Sequence, residues 1–192
     1  PFNIVNIFNK ITNYYFGVFT YQDYLKTIYK YSNFNEKEEI KQASSHFMQS
    51  FYAYNYLKEK IKNLYFLFDF QNKNLLKKSK EQNKKENLIC YSHKSNDFIQ
   101  LLKRITNTKF IELRGFTPKQ LIKIFKKSKI YIDFGYHPGK DKMPREAVLF
   151  NNCIITNYKG SAENKFDIPI NKQFKFKKKN NDLKKINQII EK

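Results

Sequence analysis

From residue 87 onward, apolar runs alternate with segments of helical periodicity, and this alternation constrains the fold more than any other feature. Three helical segments separate four apolar runs, which cover residues 88–91, 110–113, 130–134 and 153–156. Strands that alternate with helices at roughly 20–25 residues per unit build a parallel sheet, because each helix returns the chain to the same edge of the sheet. The sequence therefore predicts an α/β domain with a Rossmann-like parallel sheet and flanking helices.

The chain before residue 87 lacks this regularity. Residues 1–34 are rich in aromatic side chains and Asn, and their apolar spacing predicts two short helices around Gly17. Residues 36–60 predict a longer helix, with Asn35 as its cap and an apolar stripe on one face. So many aromatic side chains need a partner surface, which favours a neighbouring domain.

A polar connector separates this N-terminal segment from the regular one. Residues 71–87 contain neither Gly nor Pro and follow a short apolar run at 64–68 that predicts a strand. We therefore predict three parts. These are a helical, aromatic-rich appendage over residues 1–70, a Rossmann-like domain over 87–176 and a C-terminal helix over 177–192.

The formal net charge of +20 is a poor guide to the partner. Lys is abundant together with Asn, Ile, Phe and Tyr, which is the joint bias of an AT-rich genome, and the lysines are spread along the chain. A stripe that reads phosphates would favour clustered arginines, but the only arginines are Arg104, Arg114 and Arg145. We therefore expect no specific nucleic-acid partner.

Cysteine content and hydropathy indicate the compartment. Cys90 and Cys153 lie in predicted strands and are too few for a disulfide framework, as is typical of core thiols in a reducing cytosol. No apolar run approaches the roughly 20 residues that cross a bilayer, and the first residues show no signal-peptide pattern. We expect a cytoplasmic protein and leave open peripheral contact with the inner face of the membrane.

Several well-known motifs are missing from the sequence. It has no GxGxxG after the first regular strand, no GxxxxGK[ST] and no GxSxG, which argues against NAD enzymes, P-loop ATPases and α/β serine hydrolases. It also lacks the paired carboxylates of a DxD motif. We therefore expect no cofactor and no metal.

Polar loops follow the predicted strands and would meet at the carboxyl edge of a parallel sheet. Their cations are Lys94, Arg114, Lys140, Lys142 and Lys159, and a helix is predicted to begin at Pro144. Three of the five glycines, Gly135, Gly139 and Gly160, fall in the same stretch and indicate sharp turns or a close approach to a ligand. Converging cations beside a helix N-terminus suit a diphosphate.

Glu146 falls in the first turn of that predicted helix, where its carboxylate can accept two hydrogen bonds from ribose hydroxyls. Each of these residues also has a simpler interpretation. Glu146 can serve as a favourable charge at a helix start, Arg145 as part of a surface ion pair, His137 as a loop-stabilising donor and Asp133 as a turn cap. The sequence alone leaves these alternatives open.

Residues 145–156, REAVLFNNCIIT, followed by Gly160, resemble the nucleotide-sugar half of GT-B glycosyltransferases. In that family a strand leads to a Gly-containing loop, a helix that opens with Glu-Ala, a turn and an apolar strand. The fuller pattern FGYHPGKDKMPREA…GSA…DIPI looks like a bacterial branch assigned to surface-polysaccharide biosynthesis. Residues 47–57 look like the segment that joins the two lobes in that branch. The resemblance covers residues 40–176 and is strongest over 130–170.

The resemblance implies one GT-B lobe that binds a nucleoside diphosphate sugar, for transfer to a saccharide or lipid-linked acceptor. An N-terminal lobe that is mostly absent from this chain would hold the acceptor, with residues 1–70 as its remnant. Glu146 matches the family Glu that holds the donor ribose. Lys94 loosely matches the basic residue that contacts the diphosphate.

One position departs from the family pattern. Retaining members carry a second Glu eight positions before the ribose Glu, and Pro138 stands there in this chain. His137 and Asp141 are the candidates to replace it in catalysis. The candidate substrate-binding residues are Glu146, Arg145, Lys140, Gly139, Arg114 and Lys94. The alternative is a non-catalytic partner or regulatory module that kept the fold, and a basic nucleic-acid-binding domain ranks third.

Overall fold

The computed structural model describes residues 15–18, 45–59, 62–67, 73–80, 84–137 and 139–191. The chain divides into two compact units. Of the described residues, those before residue 68 belong to the first unit together with Gly139 and Lys140. The remaining described residues belong to the second unit.

The described part of the first unit contains a three-stranded parallel sheet. Its strands are β1 (Tyr15–Val18), β2 (Ser45–Met48) and β3 (Leu64–Phe66), in that spatial order. Helix α1 (Phe51–Leu57) follows β2 and begins where the Ser50 hydroxyl accepts a 3.1 Å hydrogen bond from the Ala53 N–H. Such a side-chain cap satisfies one of the free amides at a helix start.

This sheet corrects the prediction of a purely helical appendage. Gly17, predicted to lie between two short helices, lies within β1, and Ser45–Met48 is a strand where a continuous helix over 36–60 was predicted. Phe47 matched a helical stripe in the sequence, but it sits opposite Tyr65 of β3, with ring centroids 6.0 Å apart. Pairing between distant strands overrides the periodicity of a short apolar run. The rest of the two helices predicted around Gly17, and the predicted cap Asn35, lie outside the described residues.

The second unit is built on a four-stranded parallel sheet. Its strands are β4 (Glu86–Ser92), β5 (Lys109–Leu113), β6 (Ser128–Asp133) and β7 (Cys153–Thr156), and their spatial order is β5-β4-β6-β7. The helices are α2 (Lys73–Ser79), α3 (Asn96–Lys103), α4 (Pro118–Lys127), α5 (Lys142–Leu149) and α6 (Asn180–Ile190). Single turns of 3-10 helix cover His93–Ser95, Ser161–Glu163 and Lys172–Phe174.

Side chains from both faces of this sheet are buried, as the apolar composition of its strands requires. Alternate residues of β4 point to opposite faces, so Ile89 packs in one core and Cys90 in the other. Helices α3 and α6 cover the Ile89 face, while α4 and α5 cover the Cys90 face. Burial on two faces accounts for the apolar runs at residues 88–91, 130–132 and 153–155 in β4, β6 and β7.

The structure confirms the α/β architecture and the parallel sheet that the sequence predicts. It corrects the start of α5, which begins at Lys142 instead of Pro144, with Asp141 at the N-cap position. Glu146 is therefore the fifth residue of the helix and lies outside its first turn. Within the described residues, no helix combines the length and apolar character needed to cross a membrane.

Candidate functional site

The strand order creates a crevice at the carboxyl edge of the second unit's sheet. The chain leaves β4 toward β5 on one side and leaves β6 toward β7 on the other, so the loops after β4 and β6 diverge. Ligands of open parallel sheets bind at such a switch point. A cavity of about 320 Å³ lies here, and its wall includes Ser92, Lys94, Gly115, Asp133, Asp141 and Lys142. We call it the switch-point cavity.

Three residues at this edge form a connected group that we call the Asp-His-Asp cluster: Asp133, His137 and Asp141. The imidazole of His137 is fully buried. Its Nδ1 lies 2.9 Å from Oδ2 of Asp141, although the angle does not make a well-formed hydrogen bond. Its Nε2 lies 3.5 Å from the carbonyl oxygen of Asp133 and 3.8 Å from Oδ1 of the same residue.

The Asp133 carboxylate is held from two sides. Its Oδ1 accepts a 2.9 Å hydrogen bond from the Gly135 N–H, and its Oδ2 accepts one of 2.9 Å from the buried Tyr131 hydroxyl. The first bond is the turn cap that the sequence analysis left as an alternative. The same residue also lines the switch-point cavity, so the structural role and a ligand-facing position coexist.

The loop that carries His137 is clamped to the loop after β7. The Ser161 N–H donates to the His137 carbonyl at 2.8 Å, and the Asn157 side-chain amide donates to the Gly135 carbonyl at 2.7 Å. Gly160 has a φ of 66°, and a Cβ built on it would lie 2.0 Å from the His137 carbonyl oxygen. Only Gly fits this position, because other residues would both clash and adopt a left-handed backbone conformation.

The N-cap of α5 is unusual. Asp is a favoured cap because its carboxylate usually accepts hydrogen bonds from the first free amides of the helix. The Asp141 side chain makes no such bond and instead contacts His137. The Arg145 Nε donates to the Asp141 carbonyl oxygen at 3.2 Å, which ties the next turn of the helix to the same residue.

Burial and charge shift the pKa of two groups in this region. Burial by itself lowers the pKa of His137, but the contact with Asp141 and the negative charges of Asp133 and Asp141 outweigh it, so the net shift is upward. Burial raises the pKa of Glu146, while the positive charges of Lys142 and Arg145 offset part of that shift. Both shifts reflect groups that have lost water and gained charged neighbours.

The structure brings only some of the predicted site residues to the cavity. Lys94 and Asp141 lie on its wall, whereas the fully buried His137 is not part of the wall and contacts Asp133 and Asp141, which are. Glu146 is half-buried one turn after Lys142, and Arg114 is exposed next to Gly115 of the wall. Gly139 and Lys140 belong to the first unit and are not part of this cavity, and Pro138 lies outside the described residues.

The contributors that sequence reasoning missed include Tyr131, Phe116 and the position of Lys142 at the true helix start. Tyr131 lies in an apolar run, which is typical of an ordinary core residue. Phe116 is an apolar residue in a loop whose predicted site residues were cations. Asp141 is the sequence signal for the true helix start, because Asp is a common N-cap residue. Pro144 then falls within the first turn of the helix, where proline is also accepted.

A second cavity of about 360 Å³ lies beside α6 and is lined by Lys172, Lys175 and Lys185 among others. Its most buried cation, Lys175, donates a 2.6 Å hydrogen bond to the Ala162 carbonyl oxygen. Burial lowers the pKa of Lys175. Because this ammonium group is already engaged within the protein, the switch-point cavity is the better candidate for a ligand.

The chain matches no protein-family model and no curated protein. The features that bear on its function are the strand order, the cavity and the residues around the cavity. Among these, the coincidence of a switch point, a cavity of ligand size and two lysines is the most informative.

Proposed function

We propose that the second unit is the donor-binding lobe of a glycosyltransferase and holds a nucleoside diphosphate sugar in the switch-point cavity. The observation that carries this proposal is the position of the cavity at the carboxyl ends of β4 and β6, between Lys94 and Lys142. Polar groups converge there on a volume of about 320 Å³, which is within the usual range for small-ligand sites. The resemblance of residues 130–170 to GT-B glycosyltransferases supports the same assignment.

The diphosphate would lie against Lys94, Lys142 and the first amides of α5. Lys94 lies in the 3-10 turn after β4 and Lys142 begins α5, so two separate segments each bring one lysine to the cavity wall. The amides at the start of α5 add partial positive charge, and Asp141 does not cap them with its side chain. Positive groups in a partly enclosed site stabilise the charge that develops on a departing diphosphate.

The nucleoside would extend toward Phe116 and Glu146. Phe116 is 36 % exposed on the cavity wall, which leaves ring surface on which a base can stack. Glu146 is four residues after Lys142 and therefore lies on the same face of α5. Its half-buried carboxylate has the two acceptor oxygens that a ribose diol requires.

In the proposed reaction the bond between the anomeric carbon and the diphosphate oxygen breaks, and the nucleoside diphosphate leaves with the electron pair. An acceptor hydroxyl forms the new bond to that carbon and passes its proton to a carboxylate of the protein. Of the two candidate catalytic residues, Asp141 is the one on the cavity wall, with 24 % of its side chain exposed. We assign the fully buried His137 a positioning role through its contact with Asp141.

The direct test is binding of UDP, GDP, dTDP and CMP to the full chain by calorimetry and saturation-transfer NMR. We expect one nucleotide to bind, and Glu146→Ala to weaken it about tenfold, the effect of losing one or two good hydrogen bonds. The matched control is Glu191→Ala, which removes an exposed carboxylate at the end of α6 and should leave affinity unchanged. Equal affinities for the two variants and the unmodified protein would contradict the proposal.

A non-catalytic partner or regulatory module that retained the fold is the second candidate. Pro138 favours it, because Pro stands where retaining family members carry a Glu that contacts the donor sugar. Such a module would bind a nucleotide weakly or not at all and would not transfer sugar. Sugar transfer by the full chain that is lost in Asp141→Asn, with the fold intact by circular dichroism, would exclude this candidate.

A further inference from the structure

The Asp-His-Asp cluster has the composition of a metal site. Asp133, His137 and Asp141 each present one ligand atom, and the three atoms lie within 4.8 Å of one another. Asp133 ends β6, and Asp141 immediately precedes α5, so two regular elements fix the outer members of the cluster. The two aspartates are eight residues apart and so do not form a DxD motif, and the sequence analysis named these residues only as turn-cap or catalytic candidates.

A second observation comes from the buried imidazole. Nδ1 of His137 has no well-formed hydrogen bond, although the ring is fully buried and aimed at the Asp141 carboxylate 2.9 Å away. A buried ring nitrogen without such a bond is uncommon, because losing water without replacement costs free energy. The Asp141 carboxylate also faces this ring instead of capping the first amides of α5. The closest contact of each group is therefore with the other, and it leaves Nδ1 without a well-formed hydrogen bond.

We propose that the Asp-His-Asp cluster binds a divalent transition-metal cation of the Mn²⁺ or Zn²⁺ type. One imidazole nitrogen and one oxygen from each carboxylate form a donor set that these ions accept, whereas Mg²⁺ and Ca²⁺ prefer oxygen alone. The proposal concerns the protein by itself and does not depend on the identity of the substrate.

The surroundings of the cluster match what a metal site needs. The Tyr131 hydroxyl and the Gly135 N–H hold the Asp133 carboxylate in orientation. Such outer partners position ligands and strengthen metal binding. Asp133 and Asp141 also line the switch-point cavity, which provides a path for the ion and room for ligands other than protein. Three protein ligands leave coordination positions open toward that cavity.

One buried and one partly buried carboxylate around a ring favour positive charge nearby, and a proton on His137 is the competing source of it. The two sources are separable by experiment. A proton-held cluster binds no ion and is unaffected by added Mn²⁺. A metal-held cluster takes up one ion per chain and loses it when either Asp141 or His137 is replaced.

The test uses the full chain, stripped of metal with a chelator, and Mn²⁺ alone as the probe. Free Mn²⁺ is followed by electron paramagnetic resonance during a titration of the unmodified protein and of Asp141→Asn and His137→Gln. The matched controls are Asp97→Asn, an exposed carboxylate at the start of α3, and His93→Gln, an exposed imidazole on the same cavity wall. No nucleotide is present, so failure here is distinguishable from failure of nucleotide binding.

We expect one Mn²⁺ per chain, with affinity reduced about 10- to 100-fold or more in Asp141→Asn and His137→Gln and unchanged in both controls. Absence of binding to the unmodified protein would overturn the proposal. So would equal binding by Asp141→Asn, or a loss in His93→Gln as large as that in His137→Gln, which would place the ion at the surface.

Because His137 is buried, its replacement can impair folding, and a second readout uses the unmodified protein. The chain contains three histidines, His46, His93 and His137, whose ring protons are separable by NMR. Sub-stoichiometric Mn²⁺ is expected to broaden the His137 ring signals first. Broadening of His93 ahead of His137 would contradict the proposed site.

Discussion

Polar side chains have different roles at the two edges of the second unit's sheet. At the amino edge, the Lys85 ammonium donates to the Phe125 and Phe150 carbonyls at 2.9 and 2.6 Å. The Asn152 side-chain amide donates to the same two carbonyls and to that of Ala147. These bonds occupy carbonyls near the ends of α4 and α5, where the last carbonyls of a helix have no partner within the helix.

At the carboxyl edge, the polar groups instead surround an open space. Lys94, Lys142 and Asp141 lie on the wall of the switch-point cavity, and His137 is held without a well-formed bond at Nδ1. The comparison separates two uses of polar residues within one sheet. Those at the amino edge donate hydrogen bonds to helix carbonyls, and those at the carboxyl edge line a cavity. Changes at the amino edge should therefore affect stability alone.

The largest effect is expected from Gly160→Ala at the carboxyl edge. The new Cβ would lie 2.0 Å from the His137 carbonyl oxygen at a φ of 66°, so the clamp between the two loops must open. We expect a loss of about 3 kcal/mol in the free energy of unfolding, measured with urea. Gly115→Ala is the control, because its φ of 74° is similar but its Cβ would meet nothing within 4 Å. An equal loss in both variants would show that backbone strain, not the clash, is responsible.

Asn152→Ala comes next and probes the amino edge. It removes three hydrogen bonds to buried or partly buried carbonyls, for which we expect a loss of about 2 kcal/mol in the free energy of unfolding. Nucleotide and Mn²⁺ binding should be unchanged after correction for the unfolded fraction. Asn107→Ala, at an exposed position, is the matched control for stability. A specific loss of ligand binding in Asn152→Ala would contradict the proposal that amino-edge residues serve stability alone.

A smaller effect is expected from Lys85→Met. Burial lowers the pKa of Lys85, so part of the gain from its two hydrogen bonds is offset by the loss of water around the charge. Met retains most of the apolar stem, and we expect a loss of about 1 kcal/mol by urea unfolding. The double variant with Asn152→Ala should lose less than the sum of the two single variants if the shared carbonyls can bind water once both donors are removed. Strict additivity would show that the two donors act independently.

His137 at the carboxyl edge should make the stability of the protein fall as pH rises. The folded-state pKa of His137 lies above its ordinary value of 6.5. Its contribution to stability is therefore fully present below pH 6.5 and is lost as pH rises through the folded-state pKa. Urea unfolding between about pH 5 and pH 8, with a chelator present, measures this slope. His137→Gln should remove this decrease and Asn152→Ala should retain it. Burial lowers the pKa of His46, which adds a slope of the opposite sign that all three proteins share. A decrease of unchanged size in His137→Gln would assign the effect to another group.

Local pattern was enough to predict the second unit's sheet. The runs around Ile89, Ile130 and Ile154 are apolar on both faces, and the helical segments between them are strongly amphipathic, so each element was recognisable by itself. Thr117 and Pro118 also mark the start of α4 without ambiguity, because a capping box and a proline at the first turn need only neighbouring residues. In the first unit, β2 carries no such signal, and its pairing with β3 decided its structure.

The candidate site was predictable only in part, for the same reason. The sequence placed Lys94 and Asp141 at the correct edge, since strand ends are visible in the pattern. It misplaced Glu146 in the helix and grouped Lys140 with the loop cations, because the exact start of α5 and the grouping of residues depend on packing. Contacts between residues distant in sequence decide such details.

The amino-acid sequence by itself determined the α/β class of the second unit, its parallel sheet and the edge at which its polar loops meet. These properties follow from periodicity and from the short range of helix and strand signals. Only the tertiary structure decided that Gly160 clamps the His137 loop, that Asp141 turns from its helix to His137, and that Tyr131 orients Asp133. Such arrangements arise when packing brings loops together and buries their polar groups, which must then find partners among whatever residues the fold has placed nearby.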